Sequence, residues 1–326
     1  MPDLFNIVVS VSSFLGFVLS LVPFYPHLDA GNAGTCLYMF WSAVSCLHQF
    51  INLRLWDGDT DFSAPTWCAI STELTFAEKV AAQAAALCIA RRMYAIANNL
   101  LSSKRQEEII DYSIGFGLPM FQVVFSLYNG NRTTVLEGTG CWPAIADDST
   151  TYVLYSICPI AITLLATFFG VKALLSIRRF RRAAELSHEA LKLDNNLYIR
   201  MSILVGATIL VIAPLSAYSL YLTGTSSASF DSWLHLTNTR LGSAAVVPFA
   251  DWKTNMRLSA AVELSRWTNV FRAFLFFALF GLSHDAIRHY RFLIYIAQGD
   301  WDWEVDEEVD EDEIDEDELS EEYVYR

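Results

Sequence analysis

The sequence predicts an all-α fold, a bundle of seven transmembrane helices with its N-terminus outside and its C-terminus in the cytoplasm. Three observations carry this expectation. Seven apolar stretches are each long enough to cross a bilayer, the basic residues of the intervening loops fall mostly on alternate sides, and the apolar residues stand in long blocks rather than short alternating strands. A helix rises ~1.5 Å per residue, so roughly 20 apolar residues span the hydrocarbon core, where the backbone must satisfy its own hydrogen bonds.

The first stretch, Leu4–Tyr25, has no Lys or Arg before it and lacks the basic region and small-residue cleavage pattern of a removable signal peptide. It is expected to remain as the first membrane helix. The second, Thr35–Trp56, carries His48, Gln49 and Asn52, and the third, Cys68–Ile96, carries Glu73, Glu78 and Lys79. The fourth, fifth and sixth are Ile109–Leu127, Thr151–Ile177 and Leu197–Leu222, interrupted by Pro119, Pro159 and Pro214. Each proline removes a backbone donor and bends its helix. Pro214 is the favoured hinge, a static kink being the alternative. The seventh stretch, Trp267–Ser283, is short and contains Arg272, and the loop before it has room for a re-entrant or surface helix around Asn255–Leu264.

Composition excludes a soluble enzyme of this length: 53% of residues are hydrophobic, 14% aromatic, and the mean hydropathy is +0.31. The formal net charge of −14 describes the tail alone, because Asp300–Arg326 holds 16 acids and one base. Without that tail the chain has 20 acids and 21 bases, a net +1. Two domains are expected: a membrane domain over residues 1–292 and an acidic cytoplasmic tail over 293–326, too rich in like charge to collapse. The tail reads either as a solvated extension or as a docking segment for a basic partner.

With the N-terminus outside, the inner loops hold 13 Lys and Arg residues and the outer loops six, which follows the positive-inside rule. The chain's only Asn-x-Ser/Thr sequon, at Asn131, then falls outside, between the fourth and fifth spans, as a glycosylation site should. Cys36, Cys46, Cys88 and Cys158 lie within spans, where a thiol simply packs. Cys68 and Cys141 both fall outside, where a disulfide persists, and a Cys68–Cys141 bridge is expected to pin the loop across the mouth of the bundle. Two unpaired thiols are the alternative.

Glu73, Glu78, Lys79 and Arg272 are charges inside spans, each costing roughly 3 kcal/mol at the bilayer centre unless it faces a partner or water. Arg272 is expected to pair with Glu73 or Glu78 in a polar cluster lining a cavity open to the outside, against the alternative of an inter-helix ion pair without a ligand. The run Arg178-Arg179-Phe180-Arg181-Arg182 continues the fifth span as a basic amphipathic surface suited to the anionic inner leaflet or to an acidic soluble partner. A retinal pigment needs a lysine in the last span, and none is there. Of the six histidines only His48 is deep in a span, so an intramembrane zinc site finds no cluster. Phosphate loops, nucleophile elbows and His-Glu-x-x-His are missing. No enzyme activity, cofactor, metal or nucleic-acid partner is expected, and a multi-helix transporter is the alternative to a receptor.

Specific residues add to this. From about Val18 to Tyr290 the chain resembles the fungal mating-pheromone receptors of the a-factor type, class D G-protein-coupled receptors, and in particular those of mushroom-forming fungi. The marks are Pro23, His27 and Asn32 after the first span, Trp41, Asn52 and Trp56 in the second, and Trp67-Cys68 with Thr72 opening the third. Leu87-Cys88-Ile89-Ala90-Arg91-Arg92 closes that span. Cys141-Trp142-Pro143, Trp252, Arg266-Trp267 and Phe276-Phe277-Ala278-Leu279-Phe280-Gly281 complete the series in order. The resemblance implies a plasma-membrane receptor for a secreted farnesylated peptide, activating a heterotrimeric G protein. The peptide is expected near Glu73, Glu78, Lys79, Trp142, Tyr221 and Arg272, and the G protein at Arg91, Arg92, Arg178, Arg179, Arg181 and Arg182. Two departures stand out: the first inner loop lacks the basic residue usual beside its asparagine, and the tail is short and acidic. The run Ala81-Ala82-Gln83-Ala84-Ala85-Ala86 permits close helix approach within the bundle or between the protomers of a homodimer.

Overall fold

The computed structural model describes residues 4–29, 31–57, 64–98, 100, 102–129, 132–144, 149–187, 195–212, 214–215, 217–218, 221–222, 245–282 and 287. The acidic tail, the sequon asparagine Asn131 and the neighbours of Pro214 at positions 213 and 216 lie outside them. The described chain is mostly helical: α1 (Leu4–Leu21), α2 (Phe24–Asp29), α3 (Ala33–Leu55), α4 (Pro65–Ala97), α5 (Lys104–Asn129), α6 (Ser149–Ser187), α7 (Asn195–Ala207), α8 (Phe249–Thr254) and α9 (Met256–Phe276). Single π-helical turns extend α7 over Thr208–Ile212 and α9 over Phe277–Gly281.

Four of these helices, within Leu4–Leu21, Pro65–Ala97, Lys104–Tyr128 and Cys158–Arg179, are long and apolar enough to cross a membrane. Three of them, α1, α5 and α6, turn large apolar side chains outward, among them Val11 and Phe14 of α1, Phe121 and Val124 of α5, and Leu164 and Phe168 of α6. Polar residues such as His48, Gln49 and Glu78 are buried instead. That inverted distribution is what a lipid environment selects, since hydrocarbon offers polar groups no partner. Helices α3 and α9 are less apolar because their inward faces carry the polar groups described below.

Helix α4 is central, packing on α3, α5 and α6. Its alanine-rich run is buried along its whole length, so the small side chains serve close approach within the chain. Gly34 shows how close: a Cβ there would stand 3.1 Å from the Ile89 backbone nitrogen. One buried apolar cluster joins Leu37, Tyr38 and Met39 of α3, Cys88, Ile89 and Met93 of α4, Ala173 of α6, Leu204 and Val205 of α7, and Phe276 and Phe280 around the end of α9.

Two expectations need correction. The all-α reading omits a three-stranded sheet in the order β2–β1–β3, formed by β1 (Arg132–Leu136), β2 (Gly140–Ala144) and β3 (Ala245–Val247). The β1–β2 hairpin is antiparallel with Val135 opposite Cys141, and β3 runs parallel to β1 with Val246 opposite Val135. The surface helix expected around Asn255–Leu264 is the first half of α9, which runs unbroken into the seventh stretch. The Asn255 side chain caps it by accepting from the Leu258 N–H at 3.2 Å, and no helix breaker follows.

Candidate functional site

The β1–β2 hairpin forms the roof of a polar cavity of about 80 Å³ lined by α3, α4, α9 and Pro159 of α6. The hairpin is fastened to the helices beneath it. Gly138 and Gly140 bracket its turn with φ of 74° and 106°, conformations in which a side chain is strained. A Cβ on Gly140 would lie 2.7 Å from Asn52 Cβ, so only glycine lets the strand reach α3. Gly138 donates its N–H to the Trp56 carbonyl at 2.9 Å. A disulfide joins Cys141 of β2 to Cys68 in the first turn of α4, with the Cα atoms 5.3 Å apart, and Trp56 and Val135 pack around it. On the other side, Glu137 accepts from the Phe249 N–H at 2.7 Å, and its carbonyl accepts from the Trp252 indole at 3.1 Å.

Beneath the roof, one hydrogen-bond network ties α3 to α4. His48 Nδ1 meets Glu78 Oε1 at 2.9 Å, and His48 Nε2 meets Ser71 Oγ at 2.7 Å and Asn52 Nδ2 at 3.0 Å. The Trp67 indole donates to Asn52 Oδ1 at 2.8 Å, which directs the Asn52 amide nitrogen toward Nε2 and the Ser71 hydroxyl. Nε2 therefore accepts and Nδ1 carries the proton donated to the Glu78 carboxylate.

A second network runs from α9 through α3 to α1. Arg272 Nη2 donates to Asn269 Oδ1 at 2.7 Å and to Ser45 Oγ at 3.3 Å. Asn269 donates to Gln49 Oε1 at 3.3 Å, Gln49 to Ser13 Oγ at 2.8 Å, and Ser13 to the Val9 carbonyl at 2.7 Å. Near the roof, Glu263 Oε1 binds Arg266 at 3.2 Å and Lys253 at 3.0 Å, and Arg266 also donates to Asn6 Oδ1 at 2.8 Å. The Lys253 ammonium lies over the rings of Phe5, Phe249 and Trp252, 5.1 to 5.5 Å from their centroids.

Four of the six residues expected at a ligand site line this one cavity: Glu78, Lys79, Trp142 and Arg272. The Lys79 ammonium stands 5.6 Å from the Trp142 ring centroid. Glu73 does not line it, its carboxyl lying against Ser126 of α5. Tyr221 is exposed, stacks on Tyr218, and is also not part of the lining. The expected ion pair of Arg272 with Glu73 or Glu78 is not formed. Glu78 is bound by His48 and Arg272 by neutral acceptors, while Glu73 sits on another face of α4. His48, Gln49, Asn52, Arg266 and Asn269 are wall residues that the sequence reading did not assign to the site.

At the far end of α4, half-buried Arg91 lies between acids, 2.7 Å from Glu107 and 2.8 Å from Asp111 of α5. Arg92 donates to the Gly31 carbonyl at 2.7 Å and lies 3.9 Å from Asp111. Arg178 and Arg179 are exposed on α6, whose helix also contains Arg181 and Arg182.

Comparison with known proteins matches residues 8–298 to the STE3 family, pheromone A receptor. The chain is similar to the pheromone B alpha 3 receptor of Schizophyllum commune, 35% identical over 287 residues that cover 85% of this chain and 46% of that relative. It is similar as well to the pheromone B alpha 1 receptor of the same fungus, 33% identical over 285 residues, 85% of this chain and 44% of that one. Pheromone receptor 1 of Ustilago hordei is 29% identical over 286 residues, 83% of this chain and 78% of that relative. The chain spans less than half the length of the two Schizophyllum relatives.

Proposed function

This chain belongs to the STE3 pheromone A receptor family, and from that premise we propose that it is a G-protein-coupled receptor for a secreted farnesylated peptide, acting at the plasma membrane. Its seven helical stretches cross the bilayer with the N-terminus outside and the C-terminus in the cytoplasm. The positive-inside count and the sequon at Asn131 support that orientation.

One observation carries the reading: a cavity walled by buried polar side chains under a disulfide-fastened hairpin, which suits a ligand arriving from the outer side. The prenyl chain partitions into the outer leaflet, at about 0.8 kcal/mol per buried CH₂, and delivers the attached peptide to the mouth of the bundle. Glu78, Lys79, Trp142 and Arg272 then meet the peptide within the cavity, and Glu73 and Tyr221, which do not line it, take no part there. On the inner side Arg91, Arg92, Arg178, Arg179, Arg181 and Arg182 form the surface for a heterotrimeric G protein. The peptide need favour the active arrangement by only a few kcal/mol to shift the population. The alanine run of α4 is taken up inside the bundle, so a homodimer would use another face.

The test is expression in a fungal reporter strain challenged with a panel of farnesylated peptides. The expected result is a response to one peptide that disappears when its farnesyl group is omitted. Solute uptake without any G-protein signal would replace the receptor by a transporter.

A further inference from the structure

The cavity wall is unbalanced in charge and carries unused donors. Lys79, Arg266 and Arg272 stand on it against a single carboxylate, Glu78, which His48 already binds. Arg266 is answered by Glu263 at 3.2 Å. Arg272, 4% exposed, gives its hydrogen bonds to the neutral oxygens of Ser45 and Asn269, and its Nε has no partner among the described residues. The indole N–H of Trp142, on the same wall, is unpartnered as well. Removing a guanidinium from water is costly unless an opposite charge answers it, and a lone buried cation in a membrane helix marks a place where one is brought in.

We propose that the ligand brings it: the peptide carries an acidic side chain whose carboxylate is held by Arg272 inside this cavity. This rests on the peptide-receptor reading above and specifies which chemistry that site selects. A carboxylate only accepts hydrogen bonds, which suits the unused Arg272 Nε–H and Trp142 N–H; of the other described wall atoms without a partner, the Thr139 hydroxyl can donate as well and Gln83 Oε1 is an acceptor. With Nη2 given to Asn269 and Ser45, the unused Nε–H is the donor left for a carboxylate oxygen, and a charge-assisted bond of this kind is stronger than a neutral one. The volume of about 80 Å³ accommodates a side-chain headgroup and leaves the prenyl chain outside, against lipid.

The experiment uses the full chain in the reporter strain with farnesylated peptides whose C-termini are esterified, so that side chains are the sole source of carboxylate. Each Asp or Glu of the responding peptide is replaced in turn by Asn or Gln. On the wild-type receptor one such replacement is expected to weaken the half-maximal dose about tenfold or more, the weight of a charge-assisted hydrogen bond. Arg272→Gln, counted at the cell surface, is expected to abolish that preference, leaving acid and amide peptides within about twofold of each other. Arg272→Lys keeps the charge without the Nε–H and is expected to retain part of it. A responding peptide without any acid, amide peptides equal to their acids on the wild type, or a surface-displayed Arg272→Gln that keeps the full preference would each overturn the assignment. If neither variant reaches the surface, the wild-type comparison decides. Silence of the wild type toward every peptide would instead overturn the peptide-receptor reading, and this inference with it.

Discussion

The indole of Trp67 donates to Asn52 Oδ1 at 2.8 Å, and that one bond sets the direction of the α3–α4 network. With its oxygen occupied, the Asn52 amide presents its nitrogen to His48 and Ser71. Asn52→Ala removes all three bonds at a site 5% exposed and leaves the Trp67 N–H unanswered. The expected cost is about 1–3 kcal/mol, seen as a lower thermal midpoint of the purified protein in detergent. Asn52→Asp should cost at least as much, because a carboxylate cannot donate to Nε2 of His48.

The Cys68–Cys141 bridge closes a loop with a sequence separation of 73 and fixes the roof to α4. Losing it is expected to destabilise the chain by about 2–4 kcal/mol, and Cys68→Ser, Cys141→Ser and the double variant should be equivalent. Thermal midpoints under non-reducing conditions test this. A single variant much worse than the double would point to a misdirected free thiol instead.

At the tip of the same hairpin, Gly140→Ala places a methyl 2.7 Å from Asn52 Cβ at a φ of 106°. Both the contact and the backbone conformation oppose it, each by an amount on the order of 1–3 kcal/mol. Gly138→Ala, at a φ of 74°, meets the side-chain amide Asn6 Nδ2 at 3.1 Å and the Phe249 ring at 3.5 Å, looser contacts that should make it the milder of the two. Surface display and peptide response, measured for both, should rank them in that order.

The helices were legible in the sequence because long apolar blocks leave few alternatives. The sheet was not: its strands are three to five residues long and draw their order from tertiary pairing, with the parallel partner β3 arriving from far along the chain. The pairing of Arg272 failed for a reason that helical geometry contains. Glu73 and Glu78 are five positions apart, or ~140° around an α-helix, so only one could face Arg272, and that one, Glu78, is taken by His48. Conversely His48 and Asn52, four apart, share a face, and that spacing was the available signal for the α3 wall. Which carboxylate takes which cation depends on how each helix is rotated in the bundle, a quantity hydropathy does not encode.

The last prediction concerns Arg91, which the proposed function assigns to the G protein although Glu107 and Asp111 hold it within the chain. Asp111 is fully buried, so Arg91→Ala would leave an acid without its counter-charge, a loss of about 3–5 kcal/mol for such pairs. Asp111→Asn removes the acid and weakens the hold on Arg91, and should be destabilising to a lesser degree. The two roles separate in the signal. If Arg91 contacts the G protein once released, Asp111→Asn should raise basal reporter output per receptor at the surface, and Arg91→Ala should lower the maximal response. If Arg91 only ties α4 to α5, both variants should reduce surface number and leave output per receptor unchanged.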